Sequence, residues 1–364
     1  MILHRYFARR FALSFALVAA VFLGILTLLD LVDQVRRFDD DGAGFATILG
    51  LTLLSVPETL YRILPLLVIM ATLALFLNLA RTSELVVTRA SGRSALHSLI
   101  APVLVALALG TVAVAVFNPI VAATSKQYDT LAGRISGDSG NALSLDDEGL
   151  WLRQGDGNRQ TVIRAARANL EGTRLFGVSF IGISASGDAA FRIEAAEAAL
   201  IDRTWQLTDA KEWRFDSPNP EAGAREHDLL ELPATLTANQ ILDSFATPSA
   251  VPIWDLPAFI AQLERAGFSA RKHRVWLQME LATPLLLAAM VLVGAGFTMR
   301  HTRFGRTGVM VLMALAMGFT LFFIRNFAQI LGESGQIPIA LAAWGPPVAA
   351  ILLPLGLLLH WEDG

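Results

Sequence analysis

The sequence contains no cysteine. It therefore has no disulfide and no Cys-ligated metal. Cysteine-free extramembrane segments suit either side of a membrane, so this absence fixes no compartment. The six histidines, His4, His97, His227, His273, His301 and His360, are scattered without HExxH or paired spacing, which argues against zinc chemistry. No GxxxxGK followed by Ser or Thr is present, so no P-loop cradles ATP phosphates. GxSxG is missing as well. Charge is scarce: 17% of residues are charged and the net charge is -3. That balance leaves no basic footprint for a nucleic acid.

What is abundant is apolar surface. Of 364 residues, 54% are hydrophobic, and the mean hydropathy is +0.52. A hydrocarbon core about 30 Å thick takes roughly 20 apolar helical residues to cross. Six runs meet that length, at 11–29, 63–79, 99–117, 276–299, 309–330 and 339–359. Backbone groups cannot stay unpaired in lipid, so these runs are expected as helices. Three precede and three follow a long polar segment. That 3 + 3 layout excludes a soluble enzyme.

Charge placement sets an orientation. Arg5, Arg9 and Arg10 precede the first span. The run after them is long for a signal core and lacks a small-x-small cleavage site, so it is read as an uncleaved span. The cationic flank stays cytoplasmic. Arg81, Arg89 and Arg93, and Arg300, Arg303 and Arg306, then fall inside, with both termini. Residues 119–270 fall outside. Two groups break the bias on the outer side: Arg36 with Arg37, and Arg271 with Lys272 and Arg274. Such cations either serve an anionic ligand or snorkel and pair with Asp39, Asp40 and Asp41. Asp33 lies three and four residues before Arg36 and Arg37, and Glu58 four before Arg62, spacings that allow pairing on one helix face. Arginine at an outer interface suits phosphate geometrically.

The outer segment alternates. Residues 150–153, 161–164, 175–184, 190–195 and 204–215 have a period near two, and turn residues such as 155–158 and 186–188 separate them. This predicts half-buried antiparallel strands, with a β-sandwich or jelly roll as the size match. Residues 237–245 and 255–267 read as helical. The fold class is thus an α-helical membrane protein with six transmembrane helices and an inserted antiparallel β domain on the outer side, jelly-roll-like. Its parts are 1–118 (spans one to three), 119–270 (the β domain) and 271–364 (spans four to six).

Ion-coupled carriers bury several acids in their spans or break helices in matching halves. Here the deep polar candidates are Glu280, Arg325 and Asn326, and no inverted repeat is evident. A partner ATPase fits better. The inner segment at about 81–94, Arg81-Thr82-Ser83-Glu84-Leu85-Val86-Val87-Thr88-Arg89-Ala90-Ser91-Gly92-Arg93-Ser94, is short, amphipathic and helix-compatible, with Gly92 as its stop. A carboxylate flanked by apolar residues suits docking into a groove on such a partner.

At these residues the chain resembles a known family. Leu31-Val32-Asp33-Gln34-Val35-Arg36-Arg37, Leu54-Ser55-Val56-Pro57, Ser83-Glu84-Leu85-Val86-Val87, Ala90-Ser91-Gly92, Gly149-Leu150-Trp151, Ile337-Pro338 and Ala342-Ala343-Trp344-Gly345-Pro346 stand in one order along the whole chain. They resemble the lipopolysaccharide export permeases of the YjgP/YjgQ family. Val-Asp-Gln followed by two basic residues is closer to the LptG-type members than to the LptF-type.

The resemblance implies a permease subunit without an ATPase site or cofactor of its own. It implies an LptF-type partner in a heterodimer, an LptB-type ATPase dimer, an LptC-type membrane protein and an LptA-type periplasmic bridge. Its cargo is lipopolysaccharide, extracted from the bacterial inner membrane toward the outer one. On that pattern the coupling residues are Glu84 and Arg89, and Arg36, Arg37, Lys126 and Arg62 meet the lipid A phosphates, with Asp33 and Glu58 as their structural partners. Asp30 and Asp129 replace basic residues of some members, which lowers the positive charge at the mouth. Two other classes stay open: a different lipid- or lipoprotein-extracting ABC permease, and a non-transport membrane scaffold. The 3 + 3 order argues against the lipoprotein type, whose large domain follows its first span.

Overall fold

The computed structural model describes residues 2–38, 44–84, 94–135, 144–146, 149–155, 160–169, 173–184, 188–215, 219–235, 241, 248–265, 269–298 and 307–362. They form two units: 1–137 with 252–254 and 274–364, and 138–251 with 255–273.

The first unit is helical. It contains α1 (Ile2–Arg37), α2 (Phe45–Arg62), α3 (Leu64–Arg81), α4 (Ala95–Val112), α5 (Asn118–Ile135), α7 (Arg271–Thr298), α8 (Thr307–Glu333) and α9 (Ile339–Glu362). Six stretches are long and apolar enough to cross a membrane: Ile2–Arg37, Leu64–Arg81, His97–Ala132, Arg271–Thr298, Gly308–Glu333 and Ile339–Gly356. Each contains one of the six runs in whole or in large part.

Several helices outrun the hydropathy signal. α1 has 36 residues, about 54 Å at 1.5 Å per residue. The third apolar run does not stop at Phe117. A π-helical turn (Ala113–Phe117) passes it into α5, which continues to Ile135. The boundary expected at 118/119 therefore falls inside a helix, because a polar amphipathic stretch carries the helix on past the apolar one. α2 is a second extension. Ile63 leaves helical geometry (φ -92°, ψ 4°), and Pro65 sits in the first turn of α3, where its missing N–H costs nothing. Pro65 thus separates α2 from α3.

α7 is the axis of the helical core. Leu286, Leu287 and Met290 pack with Phe7 and Phe11 of α1, Leu75 and Phe76 of α3, and Ala106 of α4. Gly110 allows the closest approach: a Cβ there would stand 2.4 Å from the Cα of Pro284.

The second unit is a single seven-stranded antiparallel sheet in the order β1 to β7. The strands are β1 (Ser144–Asp146), β2 (Gly149–Gly155), β3 (Gln160–Ala168), β4 (Arg174–Ile183), β5 (Ala189–Ile201), β6 (Thr204–Arg214) and β7 (Arg225–Pro233). Every neighbour in the sheet is a neighbour in sequence, so the described strands form a meander without the crossovers of two Greek keys. The jelly-roll-like expectation is met only as far as an antiparallel sheet.

Buried side chains line up across it. Leu152 faces Ile163, Ile163 faces Phe180, and Phe180 faces Ile193. The pleat changes phase along one row, at Gly177 (φ 61°) and Asp209 (φ 52°). Positive φ is what lets buried residues sit three apart there, at Leu175 and Val178 and at Leu207 and Ala210. Trp205, fully buried, meets Phe180 edge-on and donates to Gln154 Oε1 at 3.1 Å. On β6 the half-buried Lys211 pairs with the exposed Glu221 at 2.7 Å. Glu221 holds the ammonium above its usual value; the carboxylate is held low by Lys211 first and then by Trp213.

β7 was not evident from pattern, because Arg225-Glu226-His227-Asp228 hides the alternation. Charge on the last strand protects an open edge. α6 (Leu256–Arg265) lies in the stretch expected as helical at 255–267. Of 237–245 only residue 241 is described.

The Gly110–Pro284 contact gives a direct stability test. Gly110→Ala forces α4 and α7 apart and costs about 1–3 kcal/mol. Gly24→Ala, with nothing within 4 Å, serves as the control. Thermal unfolding in detergent should show a clear drop in midpoint for the first variant alone.

Candidate functional site

Three helices converge where the sequence placed its outer cations. α2 runs antiparallel to the ends of α1 and α5. Leu51 packs against Phe38 and Ala132, the Ser55 hydroxyl donates to Asp30, and Ser125 donates to Glu58 Oε2 at 3.0 Å. Arg36, Arg37, Arg62 and Lys126 are all exposed on this three-helix end.

Their partners differ from the expected ones. Glu58 does bind Arg62, at 2.8 Å. Asp33 pairs with neither Arg36 nor Arg37 among the described residues, which corrects the i,i+3 and i,i+4 reading. The reason is a better partner for Arg37. Its Nη1 donates to the Tyr128 hydroxyl at 3.2 Å, and the guanidinium lies over the Phe38 ring at 5.6 Å. Tyr128 also exchanges a hydrogen bond of 3.0 Å with Gln34, itself buried. Arg37 is therefore a strut between α1 and α5 as well as a cation. Arg36 and Lys126 make no side-chain ion pair or hydrogen bond among the described residues and are the cations available to an anion. Asp30 is the Ser55 acceptor, so its role is to join α1 to α2. Asp129 lies in electrostatic range of Glu58 and Arg37 and offsets part of the local positive charge. Asp39, Asp40 and Asp41 lie outside the described residues.

The inner segment is described at 81–84 and at Ser94; Arg89 lies outside the described residues. α3 ends at Arg81, and Ser83, with a left-handed φ of 58°, turns the chain. Ser94 caps α4 by accepting from the His97 N–H at 3.1 Å. Glu84 is not a free exposed carboxylate. Tyr6 donates to its Oε2 at 2.7 Å, Thr82 donates to its Oε1 at 3.0 Å, and Arg10 stands 3.7 Å away. The Arg10 guanidinium also covers the Tyr6 ring, at 5.2 Å. The first helix thus holds the acid expected to couple to an ATPase.

A third cluster lies deep in the helices. Glu280 on α7 is 1% exposed and accepts a hydrogen bond from the Tyr61 hydroxyl of α2. Asn118 of α5 and Arg325 of α8 lie in interaction range of both. An isolated charge at the centre of a membrane helix costs about 2.5–3.5 kcal/mol, and the Tyr61 hydroxyl offsets part of that for Glu280. Asn118 Oδ1 also accepts the Ile253 N–H at 2.9 Å, and Trp254 Nε1 donates to the Ala115 carbonyl, in the π-helical turn, at 3.1 Å.

Sequence reasoning singled out the carboxylates and missed their partners. A compositional signal was present. The chain has 21 phenylalanines and three tyrosines. All three hydroxyls, of Tyr6, Tyr61 and Tyr128, bond polar side chains on other helices or segments.

Residues 5–360 match the family described as lipopolysaccharide export system permease LptF/LptG. The chain is similar to the lipopolysaccharide export system permease protein LptG of Escherichia coli strain K12, at 24% identity over 97% of this chain and 94% of that one. It is similar to LptG of Haemophilus influenzae at 22% identity, over 93% of each. With that match running from the first helix to the last and through the sheet between them, the chain belongs to the LptF/LptG family of lipopolysaccharide export permeases.

Proposed function

We propose that this chain is an LptG-type permease half of an ATP-driven exporter that takes lipopolysaccharide out of the bacterial inner membrane. The family match over 5–360 carries this reading. The chain brings no P-loop, so the energy comes from a separate LptB-type ATPase dimer. An LptF-type subunit completes the permease, and LptC-type and LptA-type proteins receive the cargo. The cationic N-terminus lies in the cytoplasm by the charge rule. The seven-stranded sheet is then periplasmic, a placement that the long translocated segment between spans three and four supports.

On this reading the exposed end of α1, α2 and α5 is the mouth of the cargo cavity. Arg36 supplies a donor fork for a lipid A phosphate, with Arg62 and Lys126 on the neighbouring helices. Arg37 holds the wall and adds to the field. Asp129 and Glu58 temper it, so the mouth attracts a phosphorylated lipid without holding it irreversibly. Glu84, with Arg89 beyond it, docks the ATPase on the cytoplasmic side.

Two outcomes test the assignment. Glu84→Ala removes two charge-assisted hydrogen bonds, from Tyr6 and Thr82, and a half-exposed ion pair, about 2–4 kcal/mol. The chain should still insert, while recovery of the ATPase in a pull-down falls at least fivefold. Full recovery with normal cargo release would remove Glu84 from the coupling role. At the mouth, Arg36→Glu should cut the lipopolysaccharide photoadduct formed from a crosslinker at Val32 about tenfold, a change of ~1.4 kcal/mol. Arg36→Glu leaves the Arg37–Tyr128 strut untouched, so complex yield should stay at the unmodified level. An unchanged adduct would leave Arg36 as an interface anchor.

A further inference from the structure

We propose that a cavity between α7, α8 and α9 is a binding site for one acyl chain of a bilayer phospholipid. The inference needs the helical unit to lie in a membrane. It does not need the cargo assigned above, and none of its residues belongs to the cationic end or the inner segment.

The course of α9 opens the cavity. Near its start α9 is fixed. Trp344 Nε1 donates to Gln278 Oε1 of α7 at 2.9 Å, and Ala343 packs on Val275 and Met279. A Cβ on Gly332 of α8 would stand 2.6 Å from the Ala342 Cβ, so α8 and α9 also meet closely there. Then come Pro346 and Pro347, inside the helix. They lack the N–H groups that would bond the carbonyls of Ala342 and Ala343, and prolines in a helix interior turn it from a straight path. One to two turns farther on, the three helices leave a gap of about 280 Å³. Its walls are short where bulk would close it. Gly296 of α7 and Ala350 of α9 line it, with a third proline, Pro354. A Cβ on Gly296 would meet only Pro354, at 3.8 Å.

The walls select the occupant. Among the described residues Thr320 is the one polar side chain on them, and its hydroxyl donates to the Ala316 carbonyl at 2.8 Å. A buried water needs roughly two to four polar partners, so the cavity excludes it. Ile324 and Leu353 also line the cavity and are each about half exposed, so it reaches the outer surface of the unit. All three stretches lie within apolar spans, and the medium at that opening is hydrocarbon. A dry apolar cavity of about 150 Å³ already holds a benzene-sized molecule; this one has room for a run of methylenes. A chain that leaves bulk lipid gains nothing from dehydration. It gives the wall atoms the dispersion contacts that a void denies them. A flexible acyl chain suits such an irregular slot, and a charged headgroup finds nothing on the walls to hold it.

The test uses the assembled complex, reconstituted in liposomes of phosphatidylethanolamine and phosphatidylglycerol. A trace of the phosphatidylethanolamine carries a diazirine in its acyl chain. After illumination, mass spectrometry should find adducts within residues 293–297, 317–324 and 349–354. Gly296→Leu fills the cavity and should lower their yield about fivefold, while adducts on the rest of the complex keep theirs. Thr320→Leu narrows the cavity from the α8 side and should act in the same direction; it decides alone should Gly296→Leu fail to accumulate. An undiminished yield in the filled variants would overturn the proposal. So would the absence of these adducts from the assembled complex, which would show that another subunit covers the cavity. Loss of the adducts on adding unlabelled lipopolysaccharide would also overturn it, and would give the cavity to a chain of the cargo.

Discussion

Polar groups inside the helical unit must find one another, because lipid offers them nothing. Glu280 shows the constraint at its most severe. A carboxylate at 1% exposure takes the Tyr61 hydroxyl of another helix as its partner, with Asn118 and Arg325 in electrostatic range. The same logic recurs at both ends. Tyr6 joins α1 to Glu84, and Tyr128 joins α5 to Gln34 and Arg37. Apolar packing gives the helices their core, through Leu286, Met290 and Phe76. The few polar bonds decide which turn of one helix faces which turn of another.

The same pairing shapes the electrostatics of the proposed mouth. Its net charge is modest, since Asp30, Glu58 and Asp129 stand among Arg36, Arg37, Arg62 and Lys126. Most of these charges already have partners: Ser55 for Asp30, Arg62 and Ser125 for Glu58, Tyr128 for Arg37. Pairing fixes the helices without cancelling the cation that points away. Arg36 is left to solvent, where a phosphate can reach it without breaking a structural bond. On the proposed function, binding and architecture are divided between adjacent arginines.

The six long apolar runs and five of the strands were legible because lipid and a half-buried sheet impose simple periods, continuous in one case and two in the other. α2, the extension through α5 and the short β1 were not, since polar amphipathic helix and a three-residue strand leave weak patterns. β7 was hidden by the charge that guards its edge. At the sites, the acidic and basic residues stood out in an apolar sequence, and their partners did not. Asp33 and Arg37 had ideal helical spacing, yet a tyrosine 91 positions away from Arg37 won it. Spacing within one helix cannot foresee competition from another. The scarcity of tyrosine against phenylalanine was the readable clue: a hydroxyl kept among apolar helices marks a polar partner.

The central claim is that this chain exports lipopolysaccharide with energy from a separate subunit. The direct measurement is transfer of lipopolysaccharide from proteoliposomes to a soluble periplasmic acceptor protein, with this chain, its partner permease and the ATPase purified separately and combined. The account predicts transfer that needs ATP, the ATPase and this chain together. Transfer that persists without the ATPase, or its absence from a complete complex that hydrolyses ATP, would contradict it.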